Sequence, residues 1–240
     1  MSRVAIVTGG TRGIGAAISI ALKNAGYKVA ANYAGNDEKA AAFKKETGIN
    51  VYKWDIGDFE ASKKGVAQVV ADLGPVEILV NNAGITRDTM LHRMTPQQWH
   101  EVINTNLTGC FNMCRHVIEG MRERSFGRIV NVGSINGQAG QMGQVNYSAA
   151  KAALHGFSKA LAQEGAAKGI TVNTLAPGYT DTDMVSAVPP AVLEKIVAKI
   201  PVGRLGKSEE IARAVLFMVA DDALFLTGST VSVNGGQHMY

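Results

Sequence analysis

A hydroxyl, a phenol and an ammonium lie in one short stretch, SINGQAGQMGQVNYSAAK, which runs from Ser134 to Lys151. Tyr147 and Lys151 are four residues apart, so a helix from Asn146 onward puts both on one face, one turn apart. Ser134 follows the apolar run Gly127 to Val132, whose length and branched residues predict a buried strand with Ser134 at its carboxyl end. In open α/β sheets ligands bind at that edge. A free phenol, with a pKa near ~10, is a poor acid or base at neutral pH. Bringing it to roughly 7 takes about 4 kcal/mol of preferential phenolate stabilisation, which Lys151 and a cationic cofactor are placed to supply. Tyr147 then gives its proton to a carbonyl oxygen during hydride delivery, while Ser134 holds that oxygen by a hydrogen bond. The chemistry is carbonyl reduction or its reverse. Alone, Y-x-x-x-K recurs by chance, and the same residues read as a surface i,i+4 pair and a strand-end serine.

The surrounding elements follow from an alternation of short apolar runs with amphipathic segments. Val4 to Val7, Lys28 to Ala31, Val51 to Trp54, Ile78 to Val80, Ile129 to Val132, Thr171 to Thr174 and Thr230 to Val233 are predicted strands. Helix starts are marked by Asn36, Asp58, the capping-box pattern Thr95-Pro96-Gln97-Gln98, and Ser208 before EEIARAVLFMV. This order implies a parallel sheet covered on both faces: an α/β, doubly wound, Rossmann-like fold of about seven strands. No internal boundary interrupts it, so residues 1–240 read as a single domain.

The first strand ends in Thr8-Gly9-Gly10-Thr11-Arg12-Gly13-Ile14-Gly15, followed by an alanine-rich helix. Glycine lets the backbone turn sharply and approach a ligand, and the free N–H groups of the next helix face a pyrophosphate. The spacing departs from G-x-G-x-x-G, but strand, loop and helix in this order predict a dinucleotide cradle. Sites preferring NAD carry an acid about 20 residues beyond the loop, where it binds the ribose hydroxyls. Here the second strand ends Ala30-Ala31-Asn32-Tyr33-Ala34-Gly35, and Arg12 is available to a 2′-phosphate, so the expected cofactor is NADP(H). Asp37 and Glu38, a few residues further on, are the reservation.

Composition narrows the field. At 46% hydrophobic and 18% charged, the chain can bury a full core. The net charge of +4 is spread over scattered basic residues, which argues against nucleic acid and suits a phosphorylated small molecule. Cys110 and Cys114 are four apart in a helical segment and read as buried reduced thiols, with no surrounding cluster to suggest a metal. No signal-peptide pattern opens the chain and no stretch is long and apolar enough for a membrane span, so a cytoplasmic protein is expected.

Taken together, the glycine loop, Asn81-Asn82-Ala83-Gly84, Asn106, Ser134, Tyr147-x-x-x-Lys151 and Pro177-Gly178 resemble the short-chain dehydrogenase/reductase family over essentially the whole chain. The resemblance implies that Asn106, Ser134, Tyr147 and Lys151 form the catalytic group, Asn106 kinking its helix and holding a water in a proton relay with Lys151. It implies that Asp55 contacts adenine, that Asn82, Ala83 and Gly84 line the cofactor, and that the segment after Pro177 closes over nicotinamide. It also implies a homotetramer, for which the apolar stretches Leu216 to Val219 and Leu224 to Leu226 are the sequence's own support. The bland alternatives are turn asparagines, a helix break before Gly109 and an ordinary Pro-Gly loop.

Within the family, the run Asn82 to Asp88, the segment Asn136 to Gln144, Leu154-His155-Gly156-Phe157 and the ending Asn234 to Met239 resemble the acetoacetyl-CoA reductases of polyhydroxybutyrate synthesis. That implies NADPH-dependent reduction of a short 3-oxoacyl-CoA thioester to the (R)-3-hydroxyacyl-CoA, with Asp88, Ser134, Gln141, Gln144, Tyr147 and Tyr179 meeting the substrate. Gly133 stands where relatives often have Ser or Thr. Two other functions remain to be weighed. A 3-oxoacyl-(acyl-carrier-protein) reductase shares the catalytic residues and needs a basic patch, to which Arg87, Arg93, Arg122, Arg124 and Arg128 are candidates; the same arginines suit CoA phosphates. A non-catalytic dinucleotide sensor has no need of Ser134, Tyr147 and Lys151.

Overall fold

The computed structural model describes residues 2–182, 185 and 189–239. Seven parallel strands, β1 (Val4–Val7), β2 (Lys28–Tyr33), β3 (Asn50–Lys53), β4 (Val76–Asn81), β5 (Gly127–Val132), β6 (Ile170–Pro177) and β7 (Thr230–Val233), form one sheet in the order β3-β2-β1-β4-β5-β6-β7. The chain leaves β1 toward β3 and returns across it to β4. The loops after β1 and β4 therefore diverge, opening the crevice where doubly wound sheets bind ligands. All seven predicted strands are present. The largest extension is β6, flanked on both sides by β5 and β7, which runs to Pro177 opposite Val233.

Successive strand residues point to opposite faces, and each face has its own core. Ala5 and Val7 pack with Ile18 and Leu22 of α1 (Gly13–Asn24), Phe43 of α2 (Asp37–Thr47) and Ile211, Val215 and Met218 of the helix Ser208–Val219. Val4 and Ile6 pack with Val66 and Val69 of α3 (Phe59–Leu73) and, beyond α4 (Pro96–Ile103), with Met113 and Val117 of α5 (Gly109–Arg124). Among the described residues the remaining α-helices are α6 (Ile135–Ala139), α7 (Val145–Gly165), α8 (Pro190–Val197) and α9 (Ser208–Val219).

The expected caps form at three starts. Asn36 accepts from the Lys39 N–H at 2.8 Å, Asp58 from the Ala61 N–H at 2.8 Å, and Thr95 and Gln98 close a capping box. At α9 the start differs: Ser208 is already helical, and Glu210 accepts from the Lys207 N–H at 2.8 Å. Arg204, bonded through both nitrogens, and that N–H pull the Glu210 carboxyl down to about 2.

The five arginines considered for anion binding separate. Arg122 donates to Glu164 O, Arg124 to Val76 O, and Arg128 is buried at the amino end of β5, all at the edge opposite the crevice. Arg87 pairs with Glu101 at 2.7 Å, while Arg93 is exposed and without an ion pair among the described residues. Cys110 and Cys114 are free and buried, as expected, and burial pushes the Cys110 thiol up to about 11. Among the described residues no helix is long and apolar enough to cross a membrane.

Candidate active site

The glycine loop follows β1 and is bolted to the loop after β4. Thr8 Oγ1 accepts from the N–H groups of Asn82 and Ala83, both at 3.0 Å, and the Asn82 amide donates back to Thr8 O at 2.9 Å. Gly15 is required by space, since a Cβ there would lie 2.1 Å from Gly9 O. Gly9 and Gly13 have φ of +60 and +50, a region that side-chain-bearing residues avoid. Thr11 and Ile14 complete the turn, half-buried.

This loop fits a dinucleotide. The first helix bond runs from Ala16 N to Arg12 O at 3.1 Å, leaving the N–H groups of Gly13, Ile14 and Gly15 without acceptors inside α1. No side chain caps that end, and a Cβ on Gly13 would meet nothing closer than Thr182, at 3.5 Å. Positive dipole and open donors together suit a pyrophosphate. Arg12 is exposed at the cap position, and its guanidinium makes no hydrogen bond or ion pair among the described residues. Asn32 is buried at the end of β2 with its amide on Trp54 O at 3.0 Å. The Asp37 carboxylate is engaged by Lys53 at 2.8 Å and Tyr33 at 3.0 Å, contacts that hold it below its usual range. Asp55 is exposed after β3 and accepts from the Gly57 N–H at 2.8 Å.

Asn106 sits at the middle of a π-helical turn, Asn104–Thr108, between α4 and α5. Its buried amide grips Ile85, donating to the carbonyl at 2.9 Å and accepting from the N–H at 2.8 Å. The expected distortion at Asn106 is thus present, with the side chain holding the strand-β4 loop. Gly84 completes the packing: a Cβ there would be 3.3 Å from Asn106 Oδ1 and 3.5 Å from Lys151 Nζ.

Ser134 stands just beyond β5, and Tyr147 and Lys151 lie on α7, which begins at Val145, one residue before the predicted start. Ser134 Oγ accepts from the Asn136 N–H at 3.1 Å, and its single proton is donated on the other side, toward the Tyr147 oxygen. A hydrogen bond from Ser134 lowers the Tyr147 pKa, but burial outweighs it and Asp88 and Tyr179 add to the rise, so the phenol ends above its ordinary value. Lys151 is buried, donates to Val132 O at 2.6 Å, and its Nζ lies 5.8 Å from the Tyr147 ring centroid. Burial pushes its own pKa down. The lowering of the phenol toward 7 expected from Lys151 with a cationic cofactor is therefore not produced by the protein's own groups, which leave the phenol protonated.

Gly133 has a local explanation. A Cβ there would lie 2.9 Å from the Thr174 methyl, and its N–H bonds Leu175 O at 2.7 Å, so β6 occupies the space that a Ser or Thr side chain needs.

The substrate candidates do not behave alike. Gln144 is tied down, donating to Asp88 at 2.7 Å and accepting from Asn136 at 2.9 Å. Gln141 is exposed and joins Gln144 through its main-chain carbonyl, at 3.0 Å. Tyr179 follows β6 beyond Pro177 and Gly178, where a Cβ on Gly178 would lie 2.7 Å from Asn234 Cα. The segment expected to close over nicotinamide includes residues 183, 184 and 186–188, which lie outside the described residues.

Sequence reasoning missed several supports. Asn146 is fully buried and its amide spans to Arg87 O and Gln98 O, both at 3.2 Å, fastening the start of α7 to the loop after β4. Thr8, Asn131 and Ser158 belong to similar internal ties; Asn131 donates to Ser158 Oγ at 2.9 Å. A buried asparagine among apolar residues was the one visible signal.

The chain's relationships agree with this geometry. A family model described as enoyl-(acyl carrier protein) reductase matches residues 9–238. The chain is 70% identical, over 99% of both proteins, to an acetoacetyl-CoA reductase of Rhizobium meliloti (strain 1021). It is 69% identical, again over 99% of both, to an acetoacetyl-CoA reductase of Shinella zoogloeoides. To a 3-oxoacyl-(acyl-carrier-protein) reductase of Pseudomonas aeruginosa it is 44% identical, over 99% of this chain and 98% of that protein. With a seven-stranded doubly wound sheet, a glycine cradle at the β1/β4 crevice and Ser134, Tyr147 and Lys151 at its edge, the chain is an oxidoreductase that uses a nicotinamide dinucleotide and belongs to the short-chain dehydrogenase/reductase family.

Proposed function

We propose that this protein reduces acetoacetyl-CoA, or a similarly short 3-oxoacyl-CoA, to the (R)-3-hydroxyacyl-CoA with NADPH, supplying polyhydroxybutyrate synthesis. The observation that carries the reading is the polar pair Asp88–Gln144, built beside Ser134 and Tyr147. Asp88 accepts one proton of the Gln144 amide, and the second is the donor that a thioester carbonyl needs to fix the keto group's orientation. The names of the relatives at 70% and 69% identity support this substrate over the acyl-carrier-protein thioester named for the relative at 44%. The basic patch that an acidic carrier needs is also reduced: Arg122, Arg124 and Arg128 lie at the opposite edge. A non-catalytic sensor is disfavoured by Ser134 and Tyr147 standing side by side.

A reduced nicotinamide, when bound, supplies the hydride. The residues of the chain do the rest. With substrate bound, Ser134 turns its single proton from the Tyr147 oxygen to the keto oxygen, and Tyr147, protonated at neutral pH, transfers a proton to that oxygen as negative charge develops on it. Lys151, held by Val132 O, keeps a cation under the phenol face. Asn106 acts as a positioning residue by holding Ile85 and the Gly84 backbone against Lys151. Product analysis with acetoacetyl-CoA and NADPH, repeated with the acyl-carrier-protein thioester, tests the reading; preference for the carrier-protein substrate would overturn it.

The NADPH assignment rests on Arg12, free at the loop, and on Asn32 in place of an acid. Arg12→Ala should cost roughly 1.5 to 3 kcal/mol of NADPH binding with little change for NADH. Equal weakening of both cofactors would reduce Arg12 to a loop support, and a wild type preferring NADH would overturn the assignment.

For the acyl site, Gln144→Ala should lower kcat/KM for acetoacetyl-CoA by about 10- to 100-fold, affecting kcat as well as KM, with NADPH affinity unchanged. Gln141→Ala, whose side chain is exposed, should act on KM alone. Wild-type kinetics in both variants would move the acyl pocket elsewhere. A homotetramer in the cytoplasm completes the proposal. Met218 and Val219 are buried within the chain, but Phe217, Leu224 and Phe225 remain exposed and are available to other subunits.

A further inference from the structure

Asn136 touches two parts of the site at once. Its main-chain N–H donates to Ser134 Oγ at 3.1 Å, and its side-chain amide donates to Gln144 Oε1 at 2.9 Å. Gln144 in turn donates from Nε2 to Asp88 at 2.7 Å. A carboxylate only accepts, so Asp88 forces the NH₂ of Gln144 to face it and the oxygen to face Asn136. Asn136 must then present its own NH₂. Charge at one end sets the direction of every amide in the chain.

The ends of this chain are anchored independently. Arg87, the neighbour of Asp88, is committed to Glu101 at 2.7 Å, so Gln144 is what pairs Asp88 among the described residues. Asn136 lies on α6, which is pressed onto α7 at the catalytic lysine: a Cβ on Gly137 would be 2.8 Å from the Lys151 carbonyl carbon. The backbone of Asn136 is therefore set by α6 packing, whatever its side chain does. The loop that carries Gln144 is tied across the cleft by the Thr89 N–H on Gly143 O at 2.8 Å.

We propose that Asn136 is a positioning residue for substrate orientation: Asp88 takes one proton of the Gln144 amide, and Asn136, by anchoring Oε1, holds the amide plane so that the second proton is presented to the thioester. This rests on the acyl-CoA reductase reading. With the Asp88 bond alone, the Gln144 amide can swing about that bond and carry its second N–H away from the thioester carbonyl; the Asn136 bond to Oε1 fixes the amide plane. The contact with Ser134 is through the main chain and survives side-chain substitution, so the two roles are separable.

Steady-state kinetics with acetoacetyl-CoA and NADPH test this on the wild type, Asn136→Leu, Asn136→Asp, Gln144→Ala, and each Asn136 change combined with Gln144→Ala. Asn136→Asp keeps the side-chain shape but removes the donor, and it carries the test if the leucine variant fails to fold. Both single Asn136 variants should lose about 10-fold or more in kcat/KM, with kcat falling as KM rises and NADPH affinity retained. In the Gln144→Ala background the same changes should cost less than about 2-fold, because the group they position is gone. Wild-type kinetics in Asn136→Asp, or losses that simply multiply in the double variants, would overturn the positioning role and leave the reductase reading intact. A wild type that does not reduce acetoacetyl-CoA would overturn the reading and this proposal with it.

Discussion

Tyr147→Phe should bind NADPH as the wild type does and turn over acetoacetyl-CoA about 10² to 10⁴ times more slowly. The substitution removes one oxygen from a ring that otherwise keeps its place on α7. What is lost is the proton. Burial raises the phenol's pKa and Ser134 opposes that rise only in part, so Tyr147 is protonated at neutral pH and ready to donate. Ser134 still hydrogen-bonds the keto oxygen in the variant, which is why some activity should remain. Rapid-mixing measurement of NADPH oxidation separates this from slow product release: the chemical step itself should slow. Full activity in the variant would remove Tyr147 from the reaction and return the proton donor to Ser134 or to water.

The largest stability effect is expected far from the site, at Arg128. This side chain is 1% exposed, and its guanidinium donates to the carbonyls of Ala220, Gly127, Gly169 and Asp221 at 2.9 to 3.1 Å. It also lies over the Phe126 ring, 4.3 Å from the centroid, with Arg3 3.4 Å from the same centroid. One planar fork thus joins the start of β5, the turn before β6 and the end of α9. Arg128→Leu would retain apolar bulk but remove a donor from all four carbonyls, of which Ala220 O and Gly169 O keep a backbone N–H, at about 1 to 3 kcal/mol for each one left without a partner. The total should be on the order of 3 to 5 kcal/mol, a fall of roughly 10 °C in the melting temperature for a chain of this size. Arg128→Lys should not rescue it, since one ammonium cannot reach all four carbonyls. A shift below about 2 °C in the leucine variant would show that solvent reaches these carbonyls and that the cage is redundant. Catalytic constants per folded enzyme should be unchanged, because the cage is at the opposite sheet edge from Ser134.

The sequence by itself determined the strands, most helix starts and which candidate reacting groups stand together. Those signals are local: apolar runs bounded by turn residues, capping side chains three residues from the N–H they satisfy, and a phenol and ammonium one helical turn apart. The glycine loop was legible because positive φ and close approach demand glycine wherever they occur. Tertiary structure alone decided which polar side chains meet. Asn106 reaches Ile85, Thr8 reaches Asn82, and Asn146 reaches Arg87 and Gln98 across separations that no periodicity encodes. It also decided charge environments. Asp37 was an open acid in the sequence and is engaged by Lys53 in the fold; Arg128 was a candidate for anion binding and is buried in a carbonyl cage. Tyr147 was expected to be acidified by Lys151 together with a cationic cofactor; among the protein's own groups desolvation raises it. Hydrogen-bond partnership and burial depend on where the sheet brings distant segments together, and the residue types alone are compatible with many such meetings.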